Sequence, residues 1–386
     1  MVDLWFQNFP LGNFSDKKSR FYHKDFEPTG IAHSLKKIYE DDYNEENLNL
    51  LVVELIGRGL DLEDDLFKIK DFIDSNPSLR IVFYYPSEGF TRDYEFRRIV
   101  HRLTESVRNF SNRVCFVFGD HNVEKSYDDY LAYKHWDKRM DVFSFDYFRY
   151  ETLQLYPKVN LLERKYKQIK YDFLCLNRVA RYNRIALYVE LKRLGYVDKN
   201  LYSYYNIENQ SVEPNNLSKA EFLLNKYYAP LVKESLDDKI MLDSIVEHDV
   251  EPYLTDERLY RQTFFSLVTE TEIDNLFITE KTWKPLIFGH PFIIWGSHGI
   301  LDYLRSKGFK TYESIFDETY DSIVDNRQRL NAIVQEVERF SNLPAEVKKE
   351  NFIKSKEIAR HNQDVMLNLT DNDYLNSWIN LLLGMK

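Results

Sequence analysis

Residues 264–297 read FFSLVTETEIDNLFITEKTWKPLIFGHPFIIWGS, a segment in which two apolar runs flank a polar, helix-like one. Its two apolar segments, 264–268 and 291–295, have the length and composition of buried strands. Between them, residues 280–288 follow a good N-cap, Thr279, and are predicted to form a helix. A strand, a helix and a second strand in this order indicate a parallel sheet wrapped by helices.

The rest of the chain shows the same alternation of short apolar strands and charged helical segments. In the first half the predicted strands and helices are 48–56, 62–76, 79–85, 94–109 and 113–118. A second α/β series begins with a strand over 171–177 and a helix over 184–194. At 386 residues, the chain exceeds the size at which one hydrophobic core stops growing. The sequence therefore predicts two Rossmann-like α/β domains facing a cleft, 1–165 and 166–345, followed by closing helices over 346–386.

Composition limits the partners and the compartment that we expect. The formal charge of −10 gives an average field that repels phosphate backbones, although a local basic groove stays open. The two cysteines, Cys115 and Cys175, lie in apolar runs and are predicted to be buried strand residues of a reducing compartment. No stretch has the length of a membrane span, and the N-terminus lacks a signal-like pattern. We therefore expect a cytoplasmic protein without a membrane partner.

Thr279-Glu280-Lys281 stands where a parallel strand passes into a helix, the place at which open α/β sheets bind ligands. A carboxylate in the first turn of that helix, such as Glu280, can accept both hydroxyls of a ribose. The ammonium of Lys281, assisted by the positive end of the helix, can hold a diphosphate. Thr-Glu-Lys alone is a common tripeptide. The residues that flank it must therefore indicate whether it binds a nucleotide.

The context of this tripeptide resembles the donor-binding region of the α-fucosyltransferases, a glycosyltransferase family of GT-B architecture. Its members carry an aromatic residue, a short strand, a Glu, an aromatic-x-Thr/Ser-Glu-Lys element, a helix and a Pro-Ile-x-x-Gly-Ser strand. The residues that match this pattern without a gap are Phe265, Glu270, Phe277, Thr279, Glu280, Lys281, Trp295, Gly296 and Ser297. The resemblance implies a GT-B fold and a nucleotide-diphosphate sugar as donor.

A second match lies upstream, where the family has a strand ending in Ser-Asn and an Arg that opens a helix. Here the strand ends at Asn177, and Arg184 opens the helix. The resemblance implies that this Arg contacts the donor phosphate, which suits a guanidinium fork. Arg178 and Arg181 in the same loop are alternatives. The predicted donor-binding residues are thus Asn177, Arg184, Glu270, Thr279, Glu280 and Lys281.

The chain also departs from the family pattern. Glu270-Thr271-Glu272 stands where the family usually has Glu-Asn-Ser, and the segment 283–289 differs in its side chains. These differences leave the donated sugar open, whether fucosyl, another hexosyl or pentosyl.

Inverting transfer needs a general base, which in a GT-B enzyme belongs to the N-terminal domain. Glu88, after the predicted strand 79–85 and beside Gly89, is the first candidate. Asp120, His121 and Glu54 are its reserves. No metal is expected, because the only Asp-x-Asp element, Asp371-Asn-Asp373, suits an N-cap better than a cation site.

Taken together, the sequence predicts an inverting, metal-independent glycosyltransferase that moves a sugar to an acceptor hydroxyl. The acceptor is a glycan, a small molecule or a hydroxylated base in DNA. Soluble GT-B enzymes of large bacteriophages modify DNA in this way, so a phage-type relative acting inside an infected cell is included. The alternative is a non-catalytic GT-B-like protein that binds a nucleotide sugar.

Overall fold

The computed structural model describes most of the chain, namely residues 1–6, 26, 29–54, 69–86, 113–135, 140–156, 164–177, 180–204, 214–224, 228–238, 240, 242, 257–368 and 371–384. The ten strands in these ranges are β1 Val2–Phe6, β2 His33–Lys37, β3 Leu48–Glu54, β4 Arg80–Tyr85, β5 Val114–Phe118, β6 Asp141–Ser144, β7 Tyr171–Leu176, β8 Leu201–Ser203, β9 Thr263–Thr269 and β10 Phe292–Trp295. The twelve α-helices in them are α1 Lys70–Ser75, α2 Val123–Lys134, α3 Tyr147–Leu155, α4 Tyr182–Arg193, α5 Pro214–Leu223, α6 Ala229–Glu234, α7 Glu257–Gln262, α8 Glu280–Ile287, α9 Ile300–Ser306, α10 Asn326–Ser341, α11 Ala345–Leu367 and α12 Asp371–Gly384.

The chain packs into two compact units, each built on its own parallel sheet. Unit 1 comprises residues 1–147 and 369–386, and unit 2 comprises residues 148–368. All strand pairs of both sheets run parallel. The α/β class and the two-unit organisation on which the GT-B prediction depends are therefore confirmed.

The sheet of unit 1 has six strands in the order β2-β1-β3-β4-β5-β6. The connection from β2 to β3 crosses over β1, so the strand order reverses between β1 and β3. In open parallel sheets, the carboxyl ends of the two strands at such a switch point form the usual ligand crevice. The apolar side of the sheet is filled by rings such as Trp5, Phe83 and Phe116, all fully buried.

The sheet of unit 2 has four strands in the order β10-β9-β7-β8. Its chain leaves β7 for β8 on one side and returns for β9 on the other, which places the switch point between β7 and β9. Every residue of β9 and β10 is buried, as expected for strands covered on both faces. α10 covers one face, where Phe340 contacts Phe265 with a ring distance of 5.2 Å.

The unit bounds differ from the predicted domains 1–165, 166–345 and 346–386. Arg164 belongs to unit 2 because its buried guanidinium donates hydrogen bonds to the carbonyls of Thr263 and Phe264. The predicted closing segment is shared between the units: α11 lies in unit 2, whereas α12 lies in unit 1. In unit 1, Trp378 of α12 stacks on Tyr84 with a ring distance of 5.9 Å.

The structure can also be compared with the sequence for the two cysteines, the helices over 214–234 and membrane-spanning segments. Cys115 and Cys175 are free and buried in β5 and β7 as predicted, and burial raises the pKa of each thiol to about 12. Residues 214–234 contain two helices, α5 and α6, and Pro230 in the first turn of α6 suits the start of a new helix. Among the described residues, no helix combines the length and apolar character needed to cross a bilayer.

Candidate functional site

The switch point of unit 2 brings the residues that follow β7 and β9 together. Asn177, directly after β7, accepts a hydrogen bond at Oδ1 from Thr269 Oγ1 at the end of β9. Its Nδ2 donates to the hydroxyl of Tyr202 on β8 at 3.2 Å. The buried Asn177 side chain therefore ties three strand ends to each other. Those contacts engage both its carbonyl oxygen and its amide nitrogen.

Glu270 follows β9 and lies opposite the end of β10, where its main-chain N–H donates to Trp295 O at 3.0 Å. Its fully buried carboxylate accepts four hydrogen bonds from the segment that leads into α8. The donors are Thr271 N at 3.2 Å, Thr279 N at 3.1 Å, Thr279 Oγ1 at 2.7 Å and Thr282 Oγ1 at 2.6 Å. Glu270 thus fixes the start of α8 to the end of β9.

Thr279, Glu280 and Lys281 occupy the start of α8 as predicted. Thr279 is the N-cap, and its Oγ1 accepts from Lys281 N at 3.4 Å. Lys281 Nζ donates to three oxygens: Thr271 Oγ1 at 3.2 Å, Thr279 Oγ1 at 3.0 Å and Glu280 Oε1 at 3.1 Å. The Glu280 side chain is 12% exposed and the Lys281 side chain is 22% exposed. Both charged side chains are therefore mostly buried but remain partly exposed to solvent.

Electrostatics keep Glu280 ionised. Burial raises the pKa of Glu280, but the ammonium groups of Lys281 and Lys284 outweigh it and hold the pKa below its ordinary value. Opposite charges at close range favour the ionised form of a carboxyl group. An ionised carboxylate accepts hydrogen bonds only, which is the property that a grip on two ligand hydroxyls requires.

Arg184 lies in the first turn of α4, the helix that follows β7, and is only 3% exposed. Burial and the charge of Arg181 lower the pKa of Arg184 to about 10, whereas the charges of Glu280 and Glu270 raise it. Asn183, the residue before Arg184, donates to Glu270 O, and Glu270 holds Thr279 at the start of α8, so one residue links the two helix starts. Arg181, the alternative, is the N-cap residue of α4, and Arg178 lies outside the described residues.

Asn183 is a site residue that the sequence analysis missed. It precedes Arg184 in α4, is fully buried, and donates from Nδ2 to the main-chain carbonyl of Glu270 at 2.9 Å. This bond joins the start of α4 to the end of β9. Its position beside Arg184 was the available signal, but a buried amide that bonds to a distant main-chain group has no sequence pattern of its own.

Three helices of unit 2, α4, α8 and α9, begin after strands of the sheet, and their N-termini differ in how they are capped. At the start of α8, the Glu270 carboxylate accepts a hydrogen bond from Thr279 N. At the start of α9, Asp321 Oδ2 accepts one from Leu301 N at 3.1 Å. At the start of α4, the N-cap residue Arg181 makes no side-chain hydrogen bond to the first turn. Helix N-termini attract anions, so the start of α4 can contribute to holding one.

The structure describes three of the four candidate bases of unit 1. Glu88 lies outside the described residues. Asp120 follows β5, is fully buried and accepts at Oδ1 from Asn122 N at 2.8 Å. His121 Nε2 lies 3.7 Å from Asp146 Oδ1, after β6. Glu54 ends β3 opposite Tyr84 of β4, and β3 is a switch-point strand of this sheet.

A divalent cation would need a cluster of suitable ligands. Within the described ranges, no three His, Cys, Asp or Glu side chains are grouped so that they could hold a metal ion. Asp371-Asn-Asp373, the one literal Asp-x-Asp sequence, forms the start of α12.

Comparison with known proteins gives matches among solved structures alone. No family model matches the chain, and no curated protein does. It is similar to a UDP-forming α,α-trehalose-phosphate synthase from Burkholderia xenovorans, with 9% identity, a TM-score of 0.42 and coverage of 88% of this chain and 74% of the other. For the GtfA/B complex the identity is 11%, the TM-score 0.39 and the coverage 86% and 57%. For an α1,3-fucosyltransferase the identity is 10%, the TM-score 0.28 and the coverage 86% and 94%. TM-scores below 0.5 do not establish a shared fold, so the fold stands on the sheets described above.

Proposed function

We propose that this chain is a glycosyltransferase of GT-B type that uses a nucleotide-diphosphate sugar as donor. The observation that carries the proposal is the position of Arg184 in the first turn of α4 and of Glu280 and Lys281 in the first turn of α8, the helices that follow the switch-point strands β7 and β9. Parallel sheets bind ligands at this point, and the two helix starts there carry the two kinds of group that a nucleotide diphosphate needs. The solved structures with similar chains include enzymes that form UDP or transfer fucose.

Glu280 is assigned to the ribose. Its carboxylate is ionised, partly exposed and next to the N-terminus of α8. A ribose presents two neighbouring hydroxyl donors, which match the two oxygens of a carboxylate. Thr279 supports this grip from the N-cap position, where it also receives the Lys281 ammonium.

Arg184 and Lys281 are assigned to the diphosphate. The departing nucleoside diphosphate gains negative charge as the sugar leaves, and preorganised cations stabilise that charge. Arg184 adds a rigid fork of donors at the start of α4, and Lys281 adds a point charge from α8. With these two cations in place, transfer is expected to proceed without a metal ion.

The base is assigned to unit 1, and the acceptor is a hydroxyl of a glycan, a small molecule or a modified DNA base. Glu88 remains the first candidate from the sequence. Among the reserves, Glu54 gains support from topology, because it ends a strand of the switch point. Asp120 loses support, since one of its carboxylate oxygens already holds the turn at Asn122.

The first test is a thermal-shift screen over nucleoside diphosphates and their sugars. A ligand present at a hundred times its dissociation constant adds about 2.7 kcal/mol to the free energy of unfolding, which is readily measured. The proposal expects at least one nucleoside diphosphate to raise the melting temperature. If none of them does so at millimolar concentration, the donor-site assignment is wrong. A chain that binds the donor without ever releasing nucleoside diphosphate would instead be a nucleotide-sugar-binding protein.

A further inference from the structure

Glu270 connects three junctions of unit 2. Its main-chain carbonyl receives Asn183 of α4, and its carboxylate receives Thr279 and Thr282 of α8. Its aliphatic part packs against Gly296 after β10, where an added Cβ would lie 3.4 Å from Glu270 Cγ. The helix start that carries Arg184, the helix start that carries Glu280 and the end of β10 therefore all rest on one residue.

The carboxylate of Glu270 has no acceptor capacity left for a ligand. A carboxylate offers about four lone-pair sites, and four donors of the chain already use them. The side chain is also fully buried. A ribose hydroxyl could bind there only by displacing Thr279 or Thr282, which would leave a buried donor unpaired.

We infer that Glu270 is a positioning residue that holds the first turn of α8 in place, so that Glu280 and Lys281 keep their positions relative to the start of α4. This inference rests on the proposed function for the identity of the ligand, and it replaces the expectation that Glu270 itself contacts the donor. Glu270 acts through Thr279 and Thr282, the two hydroxyls within 2.7 Å of its oxygens. Its charge also acts on Arg184, whose pKa it raises.

The substitution Glu270→Gln keeps the shape but places an amide NH₂ where donors need an acceptor. The first turn of α8 then loses part of its anchor, and the Glu280 carboxylate moves away from the ligand. We expect nucleotide binding to weaken roughly 10- to 100-fold, the range for hydrogen bonds to a charged group. Thr282→Val, which removes one of the four donors and keeps the side-chain size, should weaken binding about 3- to 10-fold.

The decisive experiment is a double-mutant cycle between Glu270 and Glu280, measured by titration calorimetry with GDP and UDP, whichever the wild-type chain binds more tightly. If Glu270 acts by placing Glu280, then Glu270→Gln added to Glu280→Gln should weaken binding by less than about threefold, because the contact that it positions is already lost. If Glu270 contacts the nucleotide directly, the two losses multiply. Multiplying losses, together with wild-type affinity in Thr282→Val, would overturn the inference.

Asp321→Asn is the matched control, because Asp321 is also a buried carboxylate that caps a helix start in unit 2, that of α9. It should lower the melting temperature and leave nucleotide affinity within about twofold, since general loss of stability does not move the folded site.

Failure of the proposed function gives a different result from failure of the positioning role. If the wild-type chain binds neither GDP nor UDP nor any other nucleoside diphosphate of the thermal-shift screen, the proposed donor is wrong, and the role of Glu270 is then judged by hydrogen exchange. Glu270→Gln should speed exchange of the amides of residues 279–287 and leave those of α11 unchanged. Unchanged exchange over residues 279–287 would overturn the positioning role whatever the ligand.

Discussion

Lys281 Nζ donates a hydrogen bond to Glu280 Oε1 at 3.1 Å, so the acid and the base of the Thr-Glu-Lys sequence form an ion pair at the first turn of α8. The pair keeps Glu280 ionised although the side chain is largely buried. It also draws Lys281 toward the carboxylate. In the proposed donor complex, the diphosphate would compete for that ammonium and free one carboxylate oxygen for the ribose.

Replacing Glu280 with Gln should weaken binding of the best nucleoside diphosphate by about 1.5–3 kcal/mol, because the charged acceptor of two hydroxyls is lost. Titration calorimetry measures this directly. Glu357→Gln, on the exposed side of α11, is the matched control and should bind like the wild-type chain. Equal affinities of the Glu280 variant and the control would remove the ribose assignment.

The two described arginines of the β7–α4 junction can be ranked by conservative substitution. Arg184→Lys keeps the charge but loses the planar fork, so the affinity for a nucleoside diphosphate should fall roughly 10- to 100-fold. Arg181→Lys should cost less, because the sequence register assigns the phosphate contact to Arg184. Both variants are compared by the same titration. A larger loss at Arg181 would transfer the phosphate contact to that residue.

Asp321 predicts a pH dependence of stability. Burial raises the pKa of Asp321 to about 6, against an ordinary value of 3.8, and hydrogen bonds from the start of α9 only partly offset this. A raised folded-state pKa adds stability that is fully present below about pH 4 and is lost as the pH rises through about 6. The contribution amounts to at most about 3 kcal/mol.

Thermal unfolding of the wild-type chain and of Asp321→Asn, measured between pH 4.5 and 7.5, tests this dependence. The stability of the wild-type chain relative to the variant should be greatest at the acid end and should decline toward neutral pH. A difference that is constant across this range, or that grows with pH, contradicts the raised pKa.

Metal independence is testable in the same assays. If Arg184 and Lys281 supply two positive charges for the diphosphate as proposed, sugar transfer should continue in excess EDTA at its rate without chelator. A requirement for Mg²⁺ or Mn²⁺ that is restored by adding the metal would show that a cation carries the charge instead.

Much of unit 2 could be predicted from sequence, because its central strands are buried on both faces and form continuous apolar runs. β7 and β9 lie within two residues of their predicted bounds. Edge strands are harder to detect. β2, with the sequence HSLKK, and the three-residue β8 each have a neighbour on one side only, so polar residues and short length hide them from a search for apolar runs.

The site was predictable where a local rule applies and was missed where contacts are long-range. Thr279 at an N-cap before Glu280 and Lys281 follows from helix-start chemistry, and the structure places all three as expected. The hydrogen bond between Asn183 and the Glu270 carbonyl joins residues 87 positions apart, so no local sequence pattern predicts it. The family resemblance assigned Glu270 to the ligand, whereas its carboxylate accepts four hydrogen bonds from Thr271, Thr279 and Thr282 of the chain itself.

The most direct test of the central claim is release of nucleoside diphosphate from sugar nucleotides, followed by chromatography over a panel of UDP-, GDP-, ADP-, CDP- and TDP-linked sugars. We predict that the wild-type chain turns over at least one of them, even as slow hydrolysis without an acceptor, and that Glu280→Gln lowers the efficiency at least about tenfold. Equal turnover by the wild-type chain and the Glu280 variant, or no turnover of any member of the panel, would contradict it.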